Sequence, residues 1–157
     1  MTTDRLPEGG FAGLVPELDV FDLERSLKFW CGGLGFVVAY ARPEAGFAYL
    51  ERDGVQVMLN RVNGNWSVGA LEPPLGRGLN LQITVATLEP VLVGLAAGGS
   101  PLFRGVHDAW YRAGSVEIGL RQVLVQDPDG YLLRLCEALG TRSVDPVLNL
   151  GGPASSP

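Results

Sequence analysis

Apolar and polar positions change period twice along the chain, in the same order each time. Val15, Leu18 and Val20 have the spacing of a short strand, after which Leu23, Leu27 and Trp30 fall on one helical face. Asp22 is placed to cap that helix and Gly32-Gly33 to end it. Further on, Leu81, Ile83 and Val85 alternate, and Leu88, Val91, Leu92 and Leu95 then take up the helical period. Thr87 is the expected cap of this second helix. Pro90 falls in its first turn, where a missing N–H does little harm, and Gly98-Gly99 stops it. Phe29 and Trp30 are expected in the core.

Each helix leads into strands. "FVVAY", "GFAYLERDG" and "VQVMLNR" follow the first, with Asp53-Gly54 as a turn signal. After the second, "QVLVQDPDG" turns into "YLLRLCE". The stretch before it, "HDAWYRAGSVEIG", reads instead as a glycine-bearing loop carrying Trp110 and Tyr111, able to close as a lid. Both halves predict a βαβββ unit, with the second strand of the second copy the least marked.

The residues themselves repeat. "LVPELDVFDLERSLKFWCGGLGF" from Leu14 lies on "LNLQITVATLEPVLVGLAAGGSPLF" from Leu79, so that Val20 meets Val85, Leu23 meets Leu88 and Glu24 meets Glu89. "DGVQVML" from Asp53 lies on "DGYLLRL" from Asp129, matching Val57 with Leu133 and Leu59 with Leu135. The predicted fold is therefore α+β, two tandem βαβββ modules over 13–62 and 79–138. The segment 63–78, rich in Gly, Pro and Asn, reads as an ordered linker into which Trp66 and Leu71 pack. Residues 1–12 are expected to be a flexible N-terminus and 139–157 a disordered tail.

Composition narrows the function. The 157 residues are 46% hydrophobic, enough for a core, and twelve Lys+Arg against seventeen Asp+Glu leave a net charge of −5 with no basic run. That field repels nucleic acid and anionic membrane, and draws in a cationic ligand. The first ten residues lack the pattern of a signal peptide, and no apolar run approaches the ~18 residues of a membrane span, so the expected location is the cytoplasm. Cys31 and Cys136 are expected as reduced, packed thiols.

The duplicated unit, with "VFDLERSLKFWCGGLGF" and "DPDGYLLRL" as its motifs, resembles the vicinal oxygen chelate superfamily of glyoxalases, extradiol dioxygenases and antibiotic resistance proteins. The resemblance covers residues 13 to 138. Metal-using members of that family carry His, Gln or Glu ligands at four equivalent positions, which here read Val15, Met58, Asn80 and Arg134. Valine has no donor, a thioether is soft, a lone amide oxygen is weak and a guanidinium is always cationic, so neither a metal nor any other cofactor is expected. The chain's one histidine, His107, is expected as a surface or hydrogen-bonding residue.

Within the superfamily the chain is most similar to the metal-free bleomycin resistance proteins. That similarity implies a homodimer with N-terminal arms exchanged near Pro16, which sequesters a bleomycin-like drug in grooves between subunits and does not alter it. It also places Phe47 against the flat part of the drug. Tyr49 lies on the same strand face, Asn80 and Gln82 share another, and Trp110, Tyr111, Glu117 and Arg134 complete the expected ligand-binding set. No catalytic residue is expected. The alternatives are a metal-independent lyase or isomerase of the same fold that uses Arg134 against a developing oxyanion, and a binder of an unrelated small molecule.

Overall fold

The computed structural model of the protein describes residues 4–144. In chain order its elements are β1 (Glu17–Val20), α1 (Leu23–Leu27), β2 (Val37–Arg42), β3 (Phe47–Arg52), β4 (Val55–Arg61), β5 (Asn80–Thr84), α2 (Glu89–Ala97), β6 (Leu102–Ala113), β7 (Val116–Gln126) and β8 (Leu132–Ser143). A π-helical stretch, Lys28–Gly33, continues α1. The strands form two four-stranded sheets, ordered β1-β4-β3-β2 and β5-β8-β7-β6. In each, the first strand of the module runs parallel to the last and the other pairs are antiparallel. The repeat holds at single-residue register: Glu17 lies opposite Met58 and Leu18 opposite Leu59, while Gln82 lies opposite Arg134 and Ile83 opposite Leu135.

Strand alternation gives each sheet one face for the helices and one for the outside. Leu18, Val20, Leu50, Val57 and Leu59 of the first sheet share one buried cluster with Ile83, Val123, Val125, Leu133 and Leu135 of the second. Phe29, Trp30, Leu88, Val91 and Leu95 fill it from the helical segments. The two modules are thus halves of a single core. Asp22 caps α1 as predicted, its Oδ1 accepting the Arg25 N–H at 3.0 Å. Thr87 does not cap α2. The free N–H at that end belongs to Leu88, and Glu137 of β8 accepts it at 2.8 Å.

The helical segments meet where neither has a side chain to separate them. A Cβ on Gly94 of α2 would stand 2.4 Å from the Gly33 carbonyl oxygen and 2.9 Å from that of Gly32. Main chain therefore packs on main chain, and the glycines expected only to end the first helix also set how closely the modules approach. The "DPDG" turn adds a second link. Asp127 Oδ1 accepts the N–H groups of Asp129, Gly130 and Tyr131 at 2.9 to 3.0 Å and so shapes the turn. Asp129 then reaches into the first module, pairing with Arg25 at 2.8 Å and accepting the Ser26 hydroxyl, while the Tyr131 hydroxyl donates to the Asp19 carbonyl at 3.0 Å.

Four sequence expectations change. "HDAWYRAG" is not a loop or lid: it is the end of β6, paired residue for residue with β7 as far as Ala113 opposite Val116. It is an edge strand with most side chains exposed, so no burial imposes alternation on its sequence. β8 runs on to Ser143, past the boundary at 138, so residues 139–143 belong to the sheet and not to a disordered tail. Val144 still bonds the Ser115 carbonyl, and the remainder of that expected tail, 145–157, lies outside the described residues. At the other end, residues 5–12 are bonded to the first sheet through Ala39, Glu51 and Gln56 and are not a free terminus. In the linker, Leu75 is buried but Trp66 is 68% exposed, so Leu75 and not Trp66 is its anchor.

Two outcomes follow from these contacts. On an open helix Gly94→Ala would stabilise by ~1 kcal/mol through helix propensity. Against the Gly33 carbonyl the sign reverses, with a loss of about 1–3 kcal/mol in denaturant unfolding. Burial lifts the Asp127 carboxyl from 3.8 to about 6, against the opposing pull of its backbone hydrogen bonds. A raised acid holds its proton longer when folded, so its contribution to stability is present below the unfolded value and lost as pH rises through about 6. Asp127→Asn keeps an oxygen for the turn and removes that loss. Its stability relative to wild type is expected to improve between about pH 4 and about pH 7.5 by up to roughly 3 kcal/mol, read from urea midpoints.

Candidate functional site

With the helix-side faces spent on the core, the outer faces of the two sheets carry the polar and aromatic groups. On the second sheet Gln82 and Arg134, opposite each other on β5 and β8, join through an Arg134 Nη2–H to Gln82 Oε1 bond of 2.7 Å. Leu124 lies across from Arg134 on β7, and two residues along stands Gln122, 3% exposed. The Gln122 amide donates to the Tyr111 hydroxyl at 2.7 Å and to His107 Nε2 at 3.0 Å, while His107 Nδ1 bonds the Gly105 carbonyl at 2.8 Å. With the Gln122 amide as donor, His107 Nε2 accepts and its Nδ1 donates to Gly105. Cys136 lies beside them, donating weakly to Gln122 Oε1, and burial raises its thiol above the ordinary value.

No carboxylate pairs with Arg134 among the described residues. The acids of this sheet face the other way: Asp108 pairs with Arg121 at 2.8 Å and Glu117 with Arg142 at 2.6 Å. The Arg121 partnership holds the Asp108 carboxyl below its usual range. Arg134 Nε is buried and finds no acceptor among the described residues.

The outer face of the first sheet is aromatic and acidic. Tyr49 stacks on Tyr40 with ring centres 5.0 Å apart, Phe47 packs in the same cluster, and the Arg42 guanidinium lies 4.0 Å over the Phe47 ring. Glu51 and Gln56 face each other across β3 and β4, and the Tyr49 hydroxyl donates to Gln56 Oε1 at 2.5 Å. Burial, with the charge of Glu51 and the neighbouring Tyr40, raises the Tyr49 phenol.

The eight expected ligand residues therefore fall in three places. Asn80, Gln82, Tyr111 and Arg134 share the outer face of the second sheet, where only Gln82 and Arg134 touch, Asn80 lying beyond Gln82 on one edge strand and Tyr111 on the other. Phe47 and Tyr49 share the outer face of the first but are only 3% and 2% exposed, because Phe11 of the N-terminal segment lies against Tyr49 while Tyr40 and Arg42 lie against Phe47. Trp110 and Glu117 turn to the opposite face of the β6–β7 hairpin. There the Trp110 ring rests on Gly119, where a Cβ would stand 2.7 Å from it, under the Arg142 guanidinium at 4.1 Å. Alternation in a strand separates Trp110 from Tyr111, which a loop would not have done.

Gln122 and Gln56 were missed although both carried a signal, since Gln122 alternates against buried Val123 and Val125, and Gln56 against Val57. His107 is the hydrogen-bonding residue it was expected to be. The four positions at which metal-using relatives place ligands do not converge on a donor set here. Val15 packs with Phe47 and Met58 on the first sheet, while Asn80 and Arg134 lie on the second. Among the described residues no three His, Cys, Asp or Glu side chains gather as a metal site. A cleft of about 570 Å³ opens at the module boundary between Arg5, Glu51, Arg52 and Pro90, and none of the eight residues lines it.

Comparison with known proteins agrees with this architecture. A family model, Glyoxalase/Bleomycin resistance protein/Dioxygenase superfamily, matches residues 16–135. A superfamily member from Vibrio splendidus 12B01 is 37% identical over 78% of this chain and 95% of its own, with a TM-score of 0.36. TioX from Micromonospora sp. ML1 is 22% identical over 82% and 100%, with a TM-score of 0.63. The bleomycin resistance determinant encoded on transposon Tn5 is 21% identical over 81% and 98%, with a TM-score of 0.55. No curated protein sequence matches the chain. No helix among the described residues is long and apolar enough to cross a membrane. Because that family model spans residues 16–135, well over half of its length, the chain belongs to the glyoxalase/bleomycin resistance protein/dioxygenase superfamily.

Proposed function

We propose that the protein is a binding protein which sequesters a bleomycin-like antibiotic, as a homodimer, in grooves bounded by the outer faces of its sheets, and releases it unaltered. The observation that carries this reading is the Gln82–Arg134 pair. At the position where a metal-using relative has a carboxylate, this chain has a cation hydrogen-bonded to an amide. Such a pair suits the carbonyl and amide groups of an organic molecule and repels a divalent ion. Tyr111 and Ile118, both about 40% exposed on the hairpin, extend the face with apolar surface. The outer face is an open sheet, and a second copy laid over it would supply the missing wall.

A metal-independent lyase or isomerase has less to work with. Both thiols are raised by burial and so stay protonated, the opposite of an activated nucleophile. Titration calorimetry with metal-free and copper-loaded bleomycin tests the binding reading. One drug per subunit and intact drug recovered by mass spectrometry are expected, with Arg134→Gln weakening binding about tenfold, the worth of a charge-assisted hydrogen bond. No heat at micromolar protein, or recovery of an altered drug, would sink it.

A further inference from the structure

The N-terminal segment does more than cover the first sheet: its contacts are those of a ligand. Gln56 reads one stretch of its main chain at two points, donating to the Gly10 carbonyl at 2.7 Å and accepting the Ala12 N–H at 2.8 Å. Between those two points Phe11 sets its ring edge-on to Tyr49, 5.6 Å between centres and 79° between planes. Glu51 accepts the Glu8 N–H at 2.7 Å and forms an ion pair with Arg5. The sheet thus offers an amide reader, an aromatic platform and a carboxylate, and the chain fills them with an amide, a ring and a guanidinium.

These three groups are compact enough for one small molecule. Gln56 lies directly opposite Glu51, and Tyr49 is two residues from Glu51 along β3, a separation of roughly 7 Å. The occupant is held in a way that allows exchange. Residues 6–12 form no strand with the sheet, and apart from the buried Pro7 they attach through the side chains of Glu51 and Gln56, with one main-chain bond from Arg5 to Ala39 ahead of them. Phe11 is 59% exposed although its edge meets Tyr49, so its removal uncovers the platform without opening the core. The cleft at the module boundary adjoins the Arg5–Glu51 pair and gives a ligand a way in beside it.

We propose that residues 5–12 occupy, within the chain's own fold, a binding site for a cationic aromatic amide, and that such a molecule binds by displacing them. The inference rests on the small-molecule reading above and adds the chemistry of the ligand and a built-in competitor for it. A site filled in this way shows an affinity reduced by the fraction of molecules in which the segment is lifted off. Weakening the segment therefore tightens binding, whereas removing a true ligand contact would loosen it.

Benzoyl-arginine amide, which has a ring, amides and a guanidinium, is the probe. In the full-length wild-type protein, an excess of it is expected to speed hydrogen exchange at the Ala12 and Glu8 amides, which lose Gln56 and Glu51 as acceptors. In the full-length variant Arg5→Ala/Phe11→Ala, calorimetry is expected to show the probe binding at least tenfold more tightly than to wild type. Unchanged or slowed exchange at those amides, equal affinity for both proteins, or no binding to the variant would each overturn the inference. The wild-type exchange measurement stands even if the variant folds poorly. Bleomycin separates the two readings. If the probe shows equal affinity for both proteins while bleomycin binds, the competitor falls and the drug reading stands; if the probe behaves as expected and bleomycin does not bind, the drug reading alone falls.

Discussion

The close approach of Gly94 to the Gly32 and Gly33 carbonyls governs the rest of the molecule. Each sheet has one apolar face that must leave water, and neither module supplies enough helix to cover it alone. The two helical segments can serve both sheets only if they lie against each other as one layer, and side chains at their crossing would force them apart. With main chain on main chain, the apolar faces of both sheets reach one shared core. The Asp129 links to Arg25 and Ser26 then tie the second module's last turn to the first helix, so the pairing of the modules is specified by polar geometry as well as by burial.

That arrangement spends the inner faces on stability and frees the outer ones. The chemistry there is uneven. On the second sheet the carboxylates are paired on the opposite side, which leaves Arg134 bonded to the Gln82 amide on a face that also carries the Gln122–Tyr111–His107 cluster. On the first sheet Glu51 stands among stacked tyrosines, and the arginine that neutralises it comes from the N-terminal segment. One duplicated unit has thus diverged into a cationic, hydrogen-bonding face and an acidic, aromatic one. Glu17 and Met58 show the same divergence, for they hold in the first module the register that Gln82 and Arg134 hold in the second.

Much of this was legible in the sequence, because the signals concerned are local. Alternation in "VQVMLNR" and the helical spacing of Leu88, Val91 and Leu95 follow from which side of an element faces the core, and a duplicated order of such signals specifies a duplicated topology. Asp22 as a cap and the paired glycines as stops are equally local. What escaped was governed by partners distant in the chain. β6 has exposed, unpatterned residues and is a strand only because β7 lies beside it. Leu88 has its free N–H satisfied by Glu137, forty-nine positions on, and Thr87 is left without that task.

The candidate site divides along the same line. The sequence by itself determined the two modules, the faces of their strands and the residue types at the four family positions, since all of these follow from period and repeat. Only the tertiary structure decided that Trp110 and Tyr111 point to opposite sides, that Gln122 binds Tyr111 and His107 together, and that residues 5–12 lie on Phe11's partner Tyr49. Those are contacts across tens of residues, set by how sheets and segments meet in space, and no pattern along the chain encodes them.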